Sequence, residues 1–126
     1  MTRFLLVEAH NTFREGLALV LKSRTGFDNV QAASLAEASR HLGSSHVTID
    51  LAIVDADLFG EDGIKLIENL RETEIRVLAL VSAQDSNRRA DALRAGADEV
   101  VSMQEPIEEL VRAARRLGGE DPMVRG

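Results

Sequence analysis

Short runs of apolar residues alternate along the chain with stretches in which apolar positions recur every three or four residues. The first pattern is that of buried strands and the second that of amphipathic helices. Arg3-Phe4-Leu5-Leu6-Val7 opens the series. Thr12 and Glu15 then have the spacing of a capping box, and Phe13, Leu17, Val20 and Leu21 repeat at helical intervals, which predicts the inward face of a first helix ending near Gly26. A weak second strand is expected from Val30 to Ala33. A second capping box follows, Ser34 to Glu37, with Leu35, Ala38 and Leu42 inward and Gly43 as the stop. Leu51-Ala52-Ile53-Val54 reads as a third strand closing in Asp55-Ala56-Asp57. The third helix begins near Glu61 and turns Ile64, Ile67 and Leu70 inward; the fourth strand covers Ile75 to Val81. The fourth helix runs from near Ser86 to Gly96 and the fifth strand from Glu99 to Ser102. Pro106 stands where a first helical residue is expected, before a fifth helix that buries Ile107, Leu110, Val111 and Ala114.

Strict alternation of strand and helix predicts an α/β domain, a doubly wound five-stranded parallel sheet with helices on both faces. The folded unit is expected over residues 1–118. Residues 119–126, rich in breakers, read as a tail or the start of a linker.

At 126 residues the chain has room for one domain and needs neither a metal nor a disulfide to hold it together. Its 15 basic against 21 acidic residues give a net charge of −6, which argues against a surface for duplex nucleic acid. With no Tyr or Trp it also lacks a platform for stacking bases. The absence of cysteine excludes a thiolate nucleophile and a Cys-rich zinc site. No apolar run is long enough to span a bilayer and no secretory signal pattern opens the chain, so no membrane contact is expected and a cytoplasmic location is.

In open α/β sheets ligands bind beyond the carboxyl ends of the strands. Here those positions hold Glu8, Asp55, Asp57, Ser82 and Met103. Carboxylates from separate strands repel one another unless a cation or proton intervenes, so Glu8, Asp55 and Asp57 suggest an oxygen-ligated Mg²⁺. The hydroxyl of Ser82 is placed to hydrogen-bond a phosphoryl oxygen. The plain alternative is that each strand simply ends in a solvated polar residue.

These residues also carry a family resemblance. The segments from Phe4 to His10, Leu51 to Gly63, Leu78 to Ala83 and Ala95 to Asp98 resemble, in order and spacing, the receiver domain of bacterial response regulators, and the similarity extends over about Arg3 to Leu117. The resemblance implies a flavodoxin-like sheet of order 2-1-3-4-5 and a place in two-component signalling. It is closest to the group with a helix-turn-helix output domain. It makes Asp55 the residue that accepts a phosphoryl group from a partner histidine kinase, Ser82 the hydroxyl that turns toward that group, Ala83 the small residue beside it, and Asp57 a position that offers its main-chain carbonyl to Mg²⁺. An output domain beyond Gly126 is implied in the same way.

The chain departs from that pattern in four places. Glu8 retains one of two usual acidic residues, while Ala9 replaces the other. Phe59 stands in place of a usual Pro, Val100 in place of an aromatic residue, and Met103 in place of the lysine at the end of the fifth strand. Phosphoryl transfer depends on positioning and charge neutralisation, so a missing metal ligand and a missing ammonium weaken it. At ~4 Å a charge pair is worth on the order of 1 kcal/mol in water and about 4 at an effective dielectric of 20. The expectation is an atypical receiver that binds Mg²⁺ weakly and is phosphorylated slowly, unstably or not at all, with Met103 filling the lysine's space. Arg88 or Arg89 at the start of the fourth helix is the candidate replacement for the lost charge.

Other polar residues have plainer readings. His10 is expected as a polar residue over the site, and His41 and His46 as caps or solvent-facing groups. Arg112, Arg115 and Arg116 suit the carboxyl end of the fifth helix. Asp91, Arg94, Asp98, Glu99, Glu109 and Arg112 form a mixed-sign face on helix 4, strand 5 and helix 5, a candidate homodimer surface. Two alternatives stand beside the atypical receiver: a conventional phosphoacceptor and, from a different class, a Toprim-like Mg²⁺-dependent enzyme suggested by Glu8 with Asp55-Ala56-Asp57.

Overall fold

The computed structural model describes residues 1–82 and 86–119. Its elements are β1 (Arg3–Val7), α1 (Asn11–Thr25), β2 (Asp28–Ala32), α2 (Leu35–Leu42), β3 (Leu51–Asp55), α3 (Asp62–Leu70), β4 (Arg76–Val81), α4 (Ser86–Ala95), β5 (Glu99–Ser102) and α5 (Ile107–Leu117). The five strands form one sheet in the order β2-β1-β3-β4-β5, every neighbouring pair parallel. This is the order the resemblance implied.

Side chains alternate between the faces of a strand, so a strand covered on both sides is apolar throughout. Leu5, Val7, Ala52, Val54, Val77, Ala79 and Val81 enter one core, where they meet Ala38 of α2, Leu66 and Ile67 of α3 and Ala92 of α4. Phe4, Leu6, Leu51, Ile53, Leu78 and Leu80 enter the other, against Leu17 and Leu21 of α1 and Leu110, Val111 and Ala114 of α5. The central strands are thereby fixed from both sides. Their carboxyl ends become a rigid edge, with Asp55 in register with Leu80 of β4.

Helix ends follow local chemistry, with corrections. Ser34 caps α2 as expected, its side chain accepting from the Glu37 N–H at 3.2 Å; the returning Glu37 carboxylate takes the Ala33 N–H at 2.7 Å in place of the N-cap's own. The other expected box fails: α1 begins at Asn11 with His10 as N-cap and no side-chain cap, leaving Thr12 inside the helix. The inward face of α1 is Leu17, Ala18 and Leu21, while Phe13 and Val20 are 41% and 39% exposed. Phe13 lies one turn before Leu17 and lines an open hollow at the carboxyl edge of the sheet. Pro106 is the N-cap of α5, with ψ of 147°, because the extended residue before the helix also suits its fixed φ; Ile107, expected inside, is 36% exposed. β2 begins earlier than the reading placed it, at Asp28, where Arg3 holds the Asp28 carboxylate at 3.0 Å. His41 is half-buried and its Nε2 lies 3.0 Å from the Gln31 carbonyl. Among the described residues no helix is long and apolar enough to cross a membrane.

Candidate functional site

At the carboxyl edge of the sheet, Glu8 follows β1, Asp55 ends β3, Ser82 follows β4 and Met103 follows β5. They surround a hollow of about 550 Å³ whose wall includes Phe13, Leu80 and Met103. The strands place these side chains together although they are far apart in sequence. Ala83 lies outside the described residues.

The acceptor position is held by its own turn. The Ala56 N–H donates to the Leu80 carbonyl at 2.8 Å, extending the ladder one residue past β3. The Leu58 N–H donates to the Asp55 carbonyl at 3.1 Å, and the Asp57 N–H to Asp55 Oδ1 at 2.9 Å, which orients the carboxylate. Gly63 closes the turn against the strand: a Cβ there would lie 2.3 Å from the Asp55 carbonyl oxygen. Phe59 and Gly60 complete the path with φ of 35° and 69°.

Glu8 is only 6% exposed and adjoins Asp55. Burial pushes the Asp55 carboxyl up to about 6, against the lowering pull of the Asp57 N–H and with the further help of negative charge on Glu8 and Asp57. His10 sits over Glu8, its backbone N–H 3.2 Å and its Nδ1 3.2 Å from Glu8 Oε2. Arg14, which sequence reasoning did not single out, donates to the Glu8 main-chain carbonyl at 2.8 Å and to Gln31 at 3.1 Å. Its position one turn after the N-cap of α1 was the available signal.

Asp57 turns its side chain elsewhere. Its Oδ2 accepts the Ser82 hydroxyl at 2.7 Å, and its Oδ1 faces Arg88 Nε at 3.3 Å. Arg88 also reaches Glu61 at 3.3 Å, a partner not anticipated from sequence. The expected set of three carboxylates is therefore not assembled: among the described residues no three acidic or histidine side chains are arranged to hold a metal, because the Asp57 carboxylate is engaged by Ser82 and Arg88. Oxygen donors that suit a divalent cation remain in Glu8, Asp55 and the Asp57 carbonyl position, and the repulsion between Glu8 and Asp55 is what such a cation would relieve.

Met103 lines the hollow but is 38% exposed, so its thioether stands at the mouth without filling it. Val100 is buried in the core and leaves no aromatic ring on β5. Ala9 is partly buried and offers no side-chain oxygen. Of the two arginines considered as replacement cations, Arg88 comes to this rim through Asp57, whereas Arg89 donates to the Val100 carbonyl at 3.3 Å.

A doubly wound sheet with an aspartate ending its middle strand, flanked by an acid and a hydroxyl from neighbouring strands, defines a receiver-type signalling domain. The profile of the response regulator receiver domain family matches residues 4–115, and the chain belongs to that family. It is 31% identical over 119 residues to the virulence transcriptional regulatory protein PhoP of Salmonella typhimurium, covering 93% of this chain and 52% of that protein. The chain thus spans about half the length of the curated relatives it matches. Among solved structures, a response regulator from Chloroflexus aurantiacus superposes with a TM-score of 0.83 at 26% identity, covering 94% of this chain and 98% of that one. A receiver protein from Pseudomonas putida gives 0.77 at 27% identity, covering 91% and 96%. The chain is accordingly the receiver domain of a two-component response regulator, which sets aside the Toprim-like reading. Receiver domains are generally signalling modules without enzymatic turnover, bind Mg²⁺ at the phosphorylation site, interact with histidine kinases and often precede output domains.

Proposed function

We propose that this receiver is atypical: Asp55 is its phosphoacceptor position, but phosphorylation there is weak and Mg²⁺ is held loosely. The observation that carries the reading is the thioether of Met103 at the mouth of the hollow, with Ala9 beside Glu8. An acyl phosphate forms when an Asp55 carboxylate oxygen attacks phosphorus and the donor's bond to phosphorus breaks. Mg²⁺, held by Glu8 and Asp55 with the Asp57 carbonyl, would supply neutralisation of the phosphoryl oxygens. The chain itself contributes orientation through the Asp57 N–H and a hydroxyl at Ser82, and no ammonium from β5. Retention of product is expected to suffer most, since a charge-assisted partner for the new oxygens is missing.

The chain acts by contact, with no turnover of a substrate of its own. A histidine kinase or another cytoplasmic signalling protein is the proposed partner, and the exposed Phe13, Phe59, Met103 and Ile107 offer apolar surface near the site for it. The net charge of −6 disfavours direct nucleic-acid binding. The receiver unit is proposed over 1–118, with an output domain further along the chain; residues 120–126 of the expected tail or linker lie outside the described residues. The face formed by α4, β5 and α5 is the proposed self-contact surface. Its Arg94 pairs with Asp91 at 2.7 Å and its Arg112 with Glu109 at 2.9 Å, exposed pairs that exchange for partners on a second copy at little cost. Glu99 is already tied to Arg116, and Asp98 to the Val77 N–H.

The test is incubation with Mg²⁺ and a small phosphoryl donor, followed by intact-mass analysis. A trace of short-lived, hydroxylamine-sensitive adduct at Asp55 is expected. Stable, near-complete modification would show a conventional phosphoacceptor instead.

A further inference from the structure

The Asp57 carboxylate lies where three elements meet. It belongs to the turn after β3, the hydroxyl it accepts at 2.7 Å belongs to Ser82 at the end of β4, and the Arg88 guanidinium facing it at 3.3 Å belongs to the first turns of α4. The Ser82 backbone N–H adds a weaker contact at 3.3 Å. Arg88 is anchored a second time on Glu61, and its side chain is only 18% exposed, so this cation is less screened than a free surface arginine. A phosphoryl group on Asp55 would carry about −1.5 to −2 charges and three acceptor oxygens, and would draw on the same hydroxyl and cation. Those donors are already committed in the unmodified chain.

We propose that Asp57 is a positioning residue that stands in for a phosphoryl group, holding Ser82 and, through Arg88, helix α4 in the engaged arrangement without modification of Asp55. The proposal rests on the preceding reading only in naming Asp55 as the site of the competing charge. It supplies a second reason, independent of Met103, for a weak response: a phosphoryl group must displace an anion that is built into the turn.

The experiment uses the full chain and reads exchange of the Ala90–Ala92 amides and of the Arg88 Nε–H by NMR. In Asp57→Ala these protons are expected to exchange about fivefold to tenfold faster. Arg88→Ala should speed the same amides by a similar factor, and the double variant should add little to either single change. Asp57→Asn, which keeps the shape without the charge, should fall between. With Mg²⁺ and beryllofluoride, Asp57→Ala should regain the protection it lost while the unmodified chain changes little, a rescue that a purely structural role would not produce. Exchange within twofold of normal in ligand-free Asp57→Ala, or fully additive effects of the two alanine changes, overturns the proposal. Failure of beryllofluoride to bind any variant counts against Asp55 as an acceptor, while the ligand-free exchange still decides the role of Asp57.

Discussion

Gly63 lies directly against the main-chain carbonyl of Asp55, with room for a hydrogen and none for a methyl group: a Cβ would meet that oxygen at 2.3 Å and Ala56 at 3.0 Å. The obstacle is backbone, which cannot swing aside as a side-chain tip can. Gly63→Ala should therefore destabilise the domain by about 1–3 kcal/mol, as overpacking does, despite the helix preference of alanine. Urea unfolding measures this, and an unchanged or raised midpoint would contradict the close packing of α3 on β3.

The acidity of Asp55 sets a pH dependence. Its folded value of about 6 exceeds the ordinary 3.8, so between those values the folded state binds more protons than the unfolded one and stability falls as pH rises. Above about pH 7 the loss is complete. Asp55→Asn should remove this slope and be more stable than the unmodified chain at pH 7 by about 1–2 kcal/mol, discounted for the carboxylate's partial exposure. Asp28 works oppositely: its bond to Arg3 holds its carboxyl below the usual value, so its contribution is lost only as pH drops below about 4. Parallel unfolding series on the two proteins give the difference directly, and identical slopes from pH 4 to 7 would refute the burial of Asp55 beside Glu8.

Ala9 follows Glu8 after the end of β1, partly buried against the core and without a ligating side-chain atom. Ala9→Asp should restore a carboxylate beside Glu8 and tighten Mg²⁺ about tenfold, or roughly 1.4 kcal/mol. Mg²⁺ titration followed by amide chemical shifts at Asp55 and Asp57 reads the constant. An unaltered constant means that the metal, if held, does not use this side of the hollow.

Met103→Lys should place an ammonium across the hollow from Asp55. Phosphorylated protein is expected to accumulate at least tenfold more from a small donor, since one charge pair at an effective dielectric of 20 is worth up to about 4 kcal/mol. Intact-mass analysis over time follows it. Equal yields in the two proteins would show that the thioether is not what limits the reaction.

The strands were the most legible part of the chain because the central ones are buried on both faces, and residues such as Leu51 to Val54 have no polar position that could suit another element; their order was implied by the family resemblance and not by this pattern. Helix starts were less so. The Thr12–Glu15 spacing matched that of Ser34–Glu37, yet Ser34 stands before its helix in extended geometry whereas Thr12 lies inside α1, which begins at Asn11 after an extended His10, a distinction of backbone and not of spacing. The positions at the strand ends were readable from the alternation of elements, since the topology must bring them to one edge. What their side chains do there was not: that Ser82 donates to Asp57, and that Arg88 reaches the same carboxylate from α4, depends on the path of a turn that local preferences leave open.

That turn carries Phe59 at φ of 35°, with its ring 60% exposed. A pyrrolidine ring confines φ to about −65°, so proline cannot follow the route this backbone takes. Importing the family's customary imino acid here would not restore a standard connection; it would force residues 58–60 onto a different trajectory, and the carboxylate borne by Asp57 would be aimed by a different hand.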